Sequence, residues 1–357
     1  YTNRRTYQCA VRCIKEKETN PYSVMSDLNG AAAEDLSAAG TANCYIVSDA
    51  GTYSFETVKG NSHEYVGQVA TVEVLWETFG YSLRPQKGDL VRDVIYESNR
   101  VYFRTAKSFK EGNAVIAVKD ADGAILWSWH IWMTAMPEAQ AYPNNAGVMM
   151  DRNLGATSTD HGHPLTIGLL YQWGRKDPFL NRMHIDKPSL AQSTISWPEA
   201  VICSPEVGTM DFATKNPTTY IYCDNKHSGD WHYVKDHTRW QSVKTQYDPC
   251  PPGWRVPDGG ENSIWDRAGF TDNVPYDDVK MGSPLDLGNS VITWYPYTGY
   301  RYHSHHICPV INFDEGLYWS CSGHGDIAFY MRLFKTWINP HMMSDQANGY
   351  AVRCQQD

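Results

Sequence analysis

The sequence predicts an α+β protein of two domains, an all-β sandwich followed by a domain that combines strands with short helices. Two observations predict the sandwich: aromatic residues make up 13% of the chain, and short runs of period-two alternation are separated by turn residues. A third predicts the second domain, because beyond about residue 145 apolar side chains recur at four-residue spacing on short segments. With 357 residues, the chain is also too long for one ordinary core.

Charge and hydropathy exclude two classes of protein. The net charge is -9 and no basic stripe occurs, which argues against a general nucleic-acid binder. No apolar run approaches the roughly 20 residues that span a bilayer, so we expect no membrane insertion. No signal peptide precedes the abrupt start at Tyr1, which predicts a processed or trimmed chain.

The cysteines give information on the cellular compartment of the protein more than on a metal site or a redox reaction. The chain has nine of them and no Cys-x-x-Cys pair, so zinc-ribbon and thioredoxin-like sites lack their basic motif. Cys9 and Cys13 alone, at Cys-x-x-x-Cys spacing, have no matching second half. An exported protein with a few disulfides and a set of buried free thiols remain the two interpretations.

Residues 1–40 are expected to form an N-terminal segment and linker, because residues 18–40 are rich in Gly, Ala and turn residues. The sequence Ala-Val-Arg-Cys occurs at residues 10–13 and again at 351–354. It is either a weak internal repeat or the closing strand of a preceding module.

Residues 41–138 are predicted to form an immunoglobulin-like sandwich. Strands near 91–96 and 101–104 flank a hairpin turn at 98–100, and strands near 114–118 and 124–132 flank another at 120–123. Short strands at this spacing are typical of such sandwiches.

Further strands are expected near 45–47, 52–55 and 72–76. Trp127, Trp129 and Ile131 recur with period two, which favours a core strand over a sugar-stacking platform.

Residues 137–145 are rich in Pro, Ala and Asn and mark the boundary of a second domain, 139–357. Strands are expected there near 291–294, 318–320, 330–334 and 350–354. Two helices are predicted, the first from Leu165, Leu169 and Trp173 before Gly174, the second from Ile264, Trp265 and Ala268 before Gly269.

Five motifs of the second domain occur in a specific order. They are Met-Asp-Arg-Asn-Leu-Gly-Ala at 150–156, Gly-Leu-Leu-Tyr-Gln-Trp-Gly-Arg-Lys-Asp-Pro-Phe at 168–179, Cys-Pro-Pro-Gly-Trp-Arg-Val-Pro at 250–257, Tyr-Trp-Ser at 318–320 and Ala-Val-Arg-Cys at 351–354. Together they resemble the major paralogous domain of Fibrobacter and Bacteroidetes surface and fimbria-associated proteins. The resemblance covers about residues 141–357 and implies a C-type lectin-like fold for the second domain. The first domain is similar to the β-domain that often precedes it.

The tail carries a further resemblance. Variable proteins of diversity-generating retroelements use the same lectin-like scaffold, and their mutagenesis targets adenines, chiefly in Asn codons, in C-terminal loops. Between the Tyr-Arg, Tyr-Trp-Ser and Asn-Gly-Tyr anchors, this chain has residue types reachable from Asn codons, where relatives often have Asn-rich stretches. Met331, Trp337 and Met342 depart from that pattern. The resemblance implies that these loops are diversified.

The same stretches supply the candidate ligand-binding residues, because irregular mixtures of aromatic, His and Asp side chains on loops are typical of binding surfaces. We expect them to form one exposed face. They are Tyr302, His303, His305, His306, Ile307, Asn312, Phe313, Asp314, His324, Asp326, Ile327, Phe329, Phe334 and His341. The alternative for Ile327, Phe329 and Phe334 is that they pack inward.

A metal site is the less favoured interpretation of this tail. On an extended segment, His303 and His305 point to the same side and could chelate zinc or nickel, with Asp314 or His324 as a third ligand. No second ligand shell is evident, so we predict no cofactor and no metal. A structural calcium ion stays an open alternative, although no EF-hand spacing occurs.

Cys250 and Cys354 bracket the region that holds the loops, and we expect them to form a disulfide. Such a clamp would hold the fold's stability outside the loops and make their replacement tolerable.

The function expected from these observations is that of an exported, surface-displayed ligand-binding protein of the adhesin or receptor type, without enzymatic activity. Its partner is expected to be a protein or glycan on a cell surface, and its location extracellular, on a cell or a virion. One alternative is a fimbrial tip or structural subunit. The other is an enzyme related to the formylglycine-generating sulfatase-modifying factors, with Cys308 and Cys321 in the appropriate third of the domain but without their Arg-Gly-Gly-Ser motif.

Overall fold

The computed structural model describes residues 33–183, 189–224, 229–270, 274–303, 310–311 and 314–357. The protein is mostly β-sheet, with about 6% helix. This agrees with the β-rich character predicted from the aromatic and turn-residue content.

Two four-stranded sheets in the first third of the chain pack face to face. Their orders are β1-β3-β6-β5 and β2-β8-β7-β4. Apolar residues of both sheets form one core between them, including Phe55, Phe103, Ile116 and Trp129. The strands are β1 (Glu34–Asp35), β2 (Cys44–Val47), β3 (Thr52–Glu56), β4 (Thr71–Thr78), β5 (Val91–Glu97), β6 (Arg100–Thr105), β7 (Gly112–Lys119) and β8 (Ile125–Met133).

Both predicted hairpins of this sandwich are confirmed. Strands β5 and β6 pair antiparallel around Ser98 and Asn99, whose φ values of 50° and 60° suit the tight turn that right-twisted strands favour. Strands β7 and β8 pair around the second turn. The inward orientation of Trp127, Trp129 and Ile131 is confirmed as well, since all three lie in the sandwich core with at most 2% exposure.

The expected linker ends earlier than predicted. Residues 1–32 lie outside the described residues, but β1 pairs parallel with β3, and Leu36 packs against the sandwich core. The Arg100 guanidinium also pairs with the Asp35 carboxylate. Hydrogen bonds and apolar burial therefore order a segment whose composition alone is typical of a linker.

The rest of the chain forms further sheets with little helix. Its strands are β9 (Ala139–Tyr142), β10 (Gly147–Met150), β11 (Leu170–Gln172), β12 (Arg182–Met183), β13 (Ser189–Leu190), β14 (Val201–Ile202), β15 (Ile221–Tyr222), β16 (Trp254–Arg255), β17 (Gly282–Asp286), β18 (Ile292–Pro296), β19 (Tyr300–Arg301), β20 (Val310–Ile311), β21 (Gly316–His324), β22 (Ile327–Phe334), β23 (Trp337–Asp345), β24 (Gly349–Ala351) and β25 (Gln355–Gln356). The α-helices among the described residues are α1 (Met210–Lys215) and α2 (Ile264–Arg267), with 3₁₀ turns at Pro143–Asn145, Pro164–Thr166 and Gly260–Asn262.

A seven-stranded sheet organises this second part. Its order is β20-β19-β24-β21-β22-β23, with β11 also paired to β24. A four-stranded sheet, β16-β25-β10-β9, joins the start of this part to the last strand. The chain therefore returns to the sheet on which this part began.

The predicted helix through Leu165, Leu169 and Trp173 is wrong. The structure has a 3₁₀ turn at Pro164–Thr166 and then β11, which pairs with β24. Gly168 has a φ of +76°, in the left-handed region that ends a helix. Over so short an apolar run, four-residue spacing does not distinguish a buried strand from a helix.

The second predicted helix is confirmed as α2. Ser263 caps its N-terminus by accepting a hydrogen bond from the Asp266 amide, and Gly269 follows with a φ of +80°. Ile264 and Trp265 are fully buried. The apolar residues and the glycine that follows them predicted this helix, and the structure adds the Ser263 cap.

The two parts share a core. Trp76 and Trp132 of the sandwich belong to the same buried cluster as Trp173 and Trp319 of the second part. The Trp132 indole donates a hydrogen bond to the carbonyl of Ala156 at 2.9 Å. Strand β8 is thus buried on both faces, one by the sandwich and one by the second part.

Cys250 and Cys354, the pair expected from the sequence, form a disulfide with their Cα atoms 6.0 Å apart. It closes a segment of 104 residues that contains β16 to β24. Among the described residues, Cys44, Cys203, Cys223 and Cys321 are free thiols.

The helices of the described residues are all too short and too polar to cross a bilayer.

Candidate functional site

A polar cavity of about 310 Å³ opens on the seven-stranded sheet, and we call it the tyrosine cavity. Its volume is at the lower end of the range of small-molecule sites. It is lined by Tyr300, Tyr302, His303, Glu315, Leu317, Tyr330, Arg332, Ser344, Asp345, Asn348 and Tyr350.

Neighbouring strands supply the walls. Tyr300 lies on β19, Leu317 on β21 and Tyr350 on β24, all in one sheet. Tyr330 and Arg332 are two residues apart on β22, and alternation along a strand places both on the same face. The sheet therefore brings together side chains that are far apart in sequence.

Packed aromatic rings form one side of the cavity. The Tyr350 ring stacks on Trp319 at 4.2 Å between centroids and contacts Tyr330 at 4.9 Å. Tyr300 meets Tyr350 edge-on at 5.6 Å. The Tyr350 hydroxyl donates to Ser344 Oγ at 2.7 Å. This packing limits rotation of the rings, so the wall is preorganised.

An ion pair forms a second side. The Arg332 guanidinium pairs with the Glu315 carboxylate, whose side chain is only 5% exposed. The same guanidinium lies over the rings of Phe334 and Trp337, at 5.4 and 5.5 Å from their centroids. Arg332 is thereby held from two directions, and its charge balances that of the nearly buried Glu315.

His303 and Asp345 form the third side. His303 Nδ1 lies 3.1 Å from Asp345 Oδ2, and neither ring nitrogen of this 6%-exposed histidine has a hydrogen-bond partner among the described residues. Burial lowers the pKa of His303, although the charge of Asp345 acts to raise it. Burial also raises the pKa of Asp345. The Tyr302 ring stacks on the imidazole at 4.8 Å. Burial thus favours the neutral imidazole of His303 in the cavity wall, and its ring nitrogens have hydrogen-bonding capacity that no described residue satisfies.

The backbone of His303 is anchored. Its carbonyl accepts a hydrogen bond from the Cys223 amide at 3.0 Å, next to the end of β15. The position of the imidazole is thus set by a neighbouring element of the second part.

Two of the sequence-predicted ligand residues, Tyr302 and His303, line the tyrosine cavity, while Phe334 lies at its margin through its contact with Arg332. Asp314 is exposed and precedes Glu315 of the cavity. Other predicted residues lie outside the described residues: His305, His306, Ile307, Asn312 and Phe313.

Three predicted residues lie at the turn between β21 and β22. His324 is exposed, and the Asp326 carboxylate is 3.8 Å from Lys235 Nζ. Ile327 is half-buried at the start of β22. Because these residues do not line the tyrosine cavity, they could serve a ligand only as part of a wider surface.

Phe329 and His341 lie on the other side of the sheet. The Phe329 ring is 3.7 Å from the position that a Cβ on Gly260 would occupy, and His341 Nε2 is 3.0 Å from Asp266 Oδ1 of α2. The described members of the predicted set therefore occupy both faces of β22–β23. A single exposed face does not contain them all.

Several cavity residues were not predicted as ligand residues. Tyr300 and Tyr350 belong to the Tyr-Arg and Asn-Gly-Tyr anchors of the sequence analysis, which does not single out Glu315, Arg332 or Asp345. The available signal was Tyr330-x-Arg332 on a predicted strand, which places an aromatic and a cationic side chain on one face. Their pairing with Glu315 depends on strand order, which local sequence does not reveal.

Cys321, considered for the enzymatic alternative, is buried, and burial raises the pKa of its thiol to about 12. Its Sγ lies 3.5 Å from Asp258 Oδ1. A thiol in this environment stays protonated at neutral pH, which favours a structural role for Cys321. Cys308 lies outside the described residues.

No group of three or more His, Cys, Asp or Glu side chains suited to a metal ion occurs in the described part of the chain. The proposed His303–His305 chelate involves a residue outside that part.

Comparisons with protein-family models, curated proteins and solved structures found no match to this chain.

Proposed function

We propose that this chain is an exported, surface-displayed ligand-binding protein of the adhesin or receptor type, and that the tyrosine cavity is its ligand site. The partner is a protein or a glycan on a cell surface. The scaffold is proposed to be an immunoglobulin-like sandwich followed by a C-type lectin-like domain.

One observation carries the proposal: the wall of an open cavity contains His303, an almost fully buried histidine whose Nδ1 lies 3.1 Å from Asp345 Oδ2. Neither ring nitrogen has a hydrogen-bond partner among the described residues. A buried polar group without a partner costs about 1 to 3 kcal/mol. Folding alone does not explain this cost, and a polar cavity wall that serves a ligand accounts for it.

The other lining groups support recognition of a polar ligand. The Asn348 side chain donates to Ser344 Oγ at 2.9 Å, while its Oδ1 has no partner among the described residues. With tyrosine hydroxyls and the Asp345 carboxylate nearby, the wall offers both donors and acceptors. Sugar hydroxyls and peptide amides are ligands that need both.

The Cys250–Cys354 disulfide supports the proposed location, because disulfides persist mainly in oxidising compartments. It also closes the part of the chain that carries the cavity, which fits a stable scaffold for a binding site.

The test is a glycan array combined with pull-down from bacterial surface extracts, comparing the wild type with Tyr302→Ala. Tyr302 is half-buried in the cavity, whereas Tyr276 is 41% exposed and lies outside the cavity lining, so Tyr276→Ala is the matched control. Loss of a specific partner with Tyr302→Ala alone supports the proposal. Absence of any specific partner, or equal binding by both variants and the wild type, would contradict it.

Diversification by a retroelement is a separate proposal, supported by the residue types of the tail. Sequencing the source population tests it. Differences clustered in residues 300–345 and confined to adenine-derived changes support it, and silent or evenly spread differences rule it out.

A further inference from the structure

A second polar cavity of about 310 Å³ lies apart from the first and shares none of its lining residues; we call it the tryptophan cavity. It is lined by Glu138, Gln140, Asp151, Arg152, Thr159, His161, Ile292 and Trp294. None of these residues is among the candidate ligand residues of the sequence analysis, which predicts only a strand near 291–294.

Four parts of the chain build this cavity. Gln140 comes from β9, Asp151 and Arg152 directly follow β10, and Trp294 lies on β18. Thr159 and His161 come from the segment before the 3₁₀ turn at Pro164–Thr166. The His161 ring stacks on the Trp294 indole at 4.7 Å between centroids and 17° between planes. The exposed imidazole thus covers the 3%-exposed Trp294 indole and is the aromatic ring that remains accessible at the cavity.

Two of the lining residues carry a buried polar atom that has no hydrogen-bond partner among the described residues, the Trp294 indole N–H and the Gln140 carbonyl Oε1. Because both atoms lie below the surface, the groups that a ligand would meet first are the exposed Glu138 carboxylate and the exposed His161 ring. A carboxylate accepts hydrogen bonds from a ligand's hydroxyl groups, and an aromatic ring offers an apolar face to its C–H groups.

The charges of the cavity are nearly balanced. The Arg152 guanidinium donates two hydrogen bonds to the Asp151 carboxylate, from Nε at 2.8 Å and from a terminal nitrogen at 2.9 Å. Glu138, exposed at the rim, adds one carboxylate. Burial and the nearby Lys280 charge lower the pKa of His161, so its imidazole is neutral at pH 7. The carboxylates disfavour an anion, and the polar wall disfavours an apolar ligand.

We propose that the tryptophan cavity is a second binding site, which takes a neutral, hydroxyl-rich ligand of the saccharide class. A sugar ring packs its C–H face on the exposed ring of His161, which Trp294 supports from behind. Its hydroxyls donate to the Glu138 carboxylate at the rim. This site is independent of the tyrosine cavity, and the proposal does not depend on the function assigned there.

Saturation-transfer NMR on the whole chain tests the proposal, with galactose, mannose and N-acetylglucosamine as separate probes. The test variant is Glu138→Gln/His161→Ala, because both side chains are exposed at the cavity and their loss should leave the fold intact. His63→Ala is the matched control, an exposed histidine on the sandwich part. We expect at least one sugar to bind the wild type and the control, and to bind the double variant at least about tenfold more weakly, a loss of about 1.4 kcal/mol.

Indole ¹⁵N labelling gives a second readout. The Trp294 N–H resonance, assigned from its absence in Trp294→Phe, should shift when the sugar is added. Tyr302→Ala should leave both signals unchanged, which separates this site from the tyrosine cavity. The proposal is overturned if no probe sugar binds, if the double variant binds as the wild type does, or if the Trp294 resonance stays in place at saturation.

Discussion

His303 and Asp345 face each other in the wall of the tyrosine cavity, with 3.1 Å between Nδ1 and Oδ2. Burial dominates the electrostatics of both groups: it favours the neutral imidazole and the protonated carboxyl, while each charge opposes that shift in its partner. The pair is therefore a sensitive reporter of the cavity's electrostatics.

The first prediction concerns this pair. The pKa of His303 should lie below its ordinary 6.5, and Asp345→Asn should lower it further, because the Asp345 charge is what raises it against burial. An NMR titration of the His303 ring protons, assigned with His303→Gln, measures the midpoint. Asp326→Asn is the control, since Asp326 acts on Asp345 and should move the His303 midpoint less. A midpoint that rises or stays fixed in Asp345→Asn would contradict the assignment.

The second prediction concerns Gly168, which interrupts the segment that was expected to be a helix. Gly168 and Gly123 both have positive φ, +76° and +82°, but a Cβ on Gly168 would lie 2.6 Å from the Leu154 carbonyl oxygen, whereas one on Gly123 meets nothing within 4 Å. Gly123→Ala should cost about 1 to 2 kcal/mol from backbone strain alone. Gly168→Ala should cost more than about 3 kcal/mol, because main-chain atoms must move. Urea unfolding of both variants measures the difference, and equal losses would show that the close approach is unimportant.

The sequence predicted the local features of the fold well. Turn chemistry located the hairpins at Ser98-Asn99 and at residues 120–123, and closely spaced apolar residues followed by a glycine located α2. Each of these signals lies within a few residues. Local sequence therefore suffices for such elements.

The pairing of strands that are distant in the chain could not be predicted from local sequence. Strands β2 and β3 are separated by only a short turn, yet they belong to different sheets, and β2 pairs parallel with β8. The period-two recurrence of Trp127, Trp129 and Ile131 in β8 predicted that one face of this strand is buried. Trp132 and His130 on the other face are also buried, because the second part covers them.

The same limit applies to the candidate site. Tyr302 and His303 stood out because folding alone does not explain their residue types. Glu315 and Arg332 did not, since their significance lies in an ion pair between residues that only the strand order brings together. The tryptophan cavity was missed because its lining comes from four segments that only the fold brings together.

The third prediction concerns the disulfide. In the chain-entropy model, closing a segment of 104 residues stabilises the fold by about 4 to 5 kcal/mol. Cys250→Ser/Cys354→Ser should lose a large part of this in guanidinium unfolding. Reduced wild type is the control and should match the double variant under the same reducing conditions. Non-reduced peptide mass spectrometry that finds both thiols free would remove the basis of the prediction.

The fourth prediction concerns His130, which is buried between the two parts. Its Nε2 is 2.8 Å from Asn113 Oδ1, while Asn113 Nδ2 donates to the Gly155 carbonyl at 2.9 Å. The Asn113 oxygen is thus an acceptor, so Nε2 carries the proton of a neutral imidazole. Nδ1 is buried without a partner among the described residues. Protonating it would place an unpaired charge in the core.

Burial accordingly lowers the pKa of His130 from its ordinary 6.5 to about 3. Between these values the unfolded chain binds a proton that the folded protein does not, so the free energy of unfolding falls as pH falls below 6.5. The slope approaches about 1.4 kcal/mol per pH unit, which gives a loss of about 2 kcal/mol at pH 5. His130→Gln keeps a donor for Asn113 but cannot titrate, so its unfolding free energy should depend less steeply on pH. Denaturant unfolding at pH 7, 6 and 5, above the range where most carboxylates titrate, measures both slopes. Equal slopes in the two proteins would mean that His130 is already charged in the fold, or that it is solvated there.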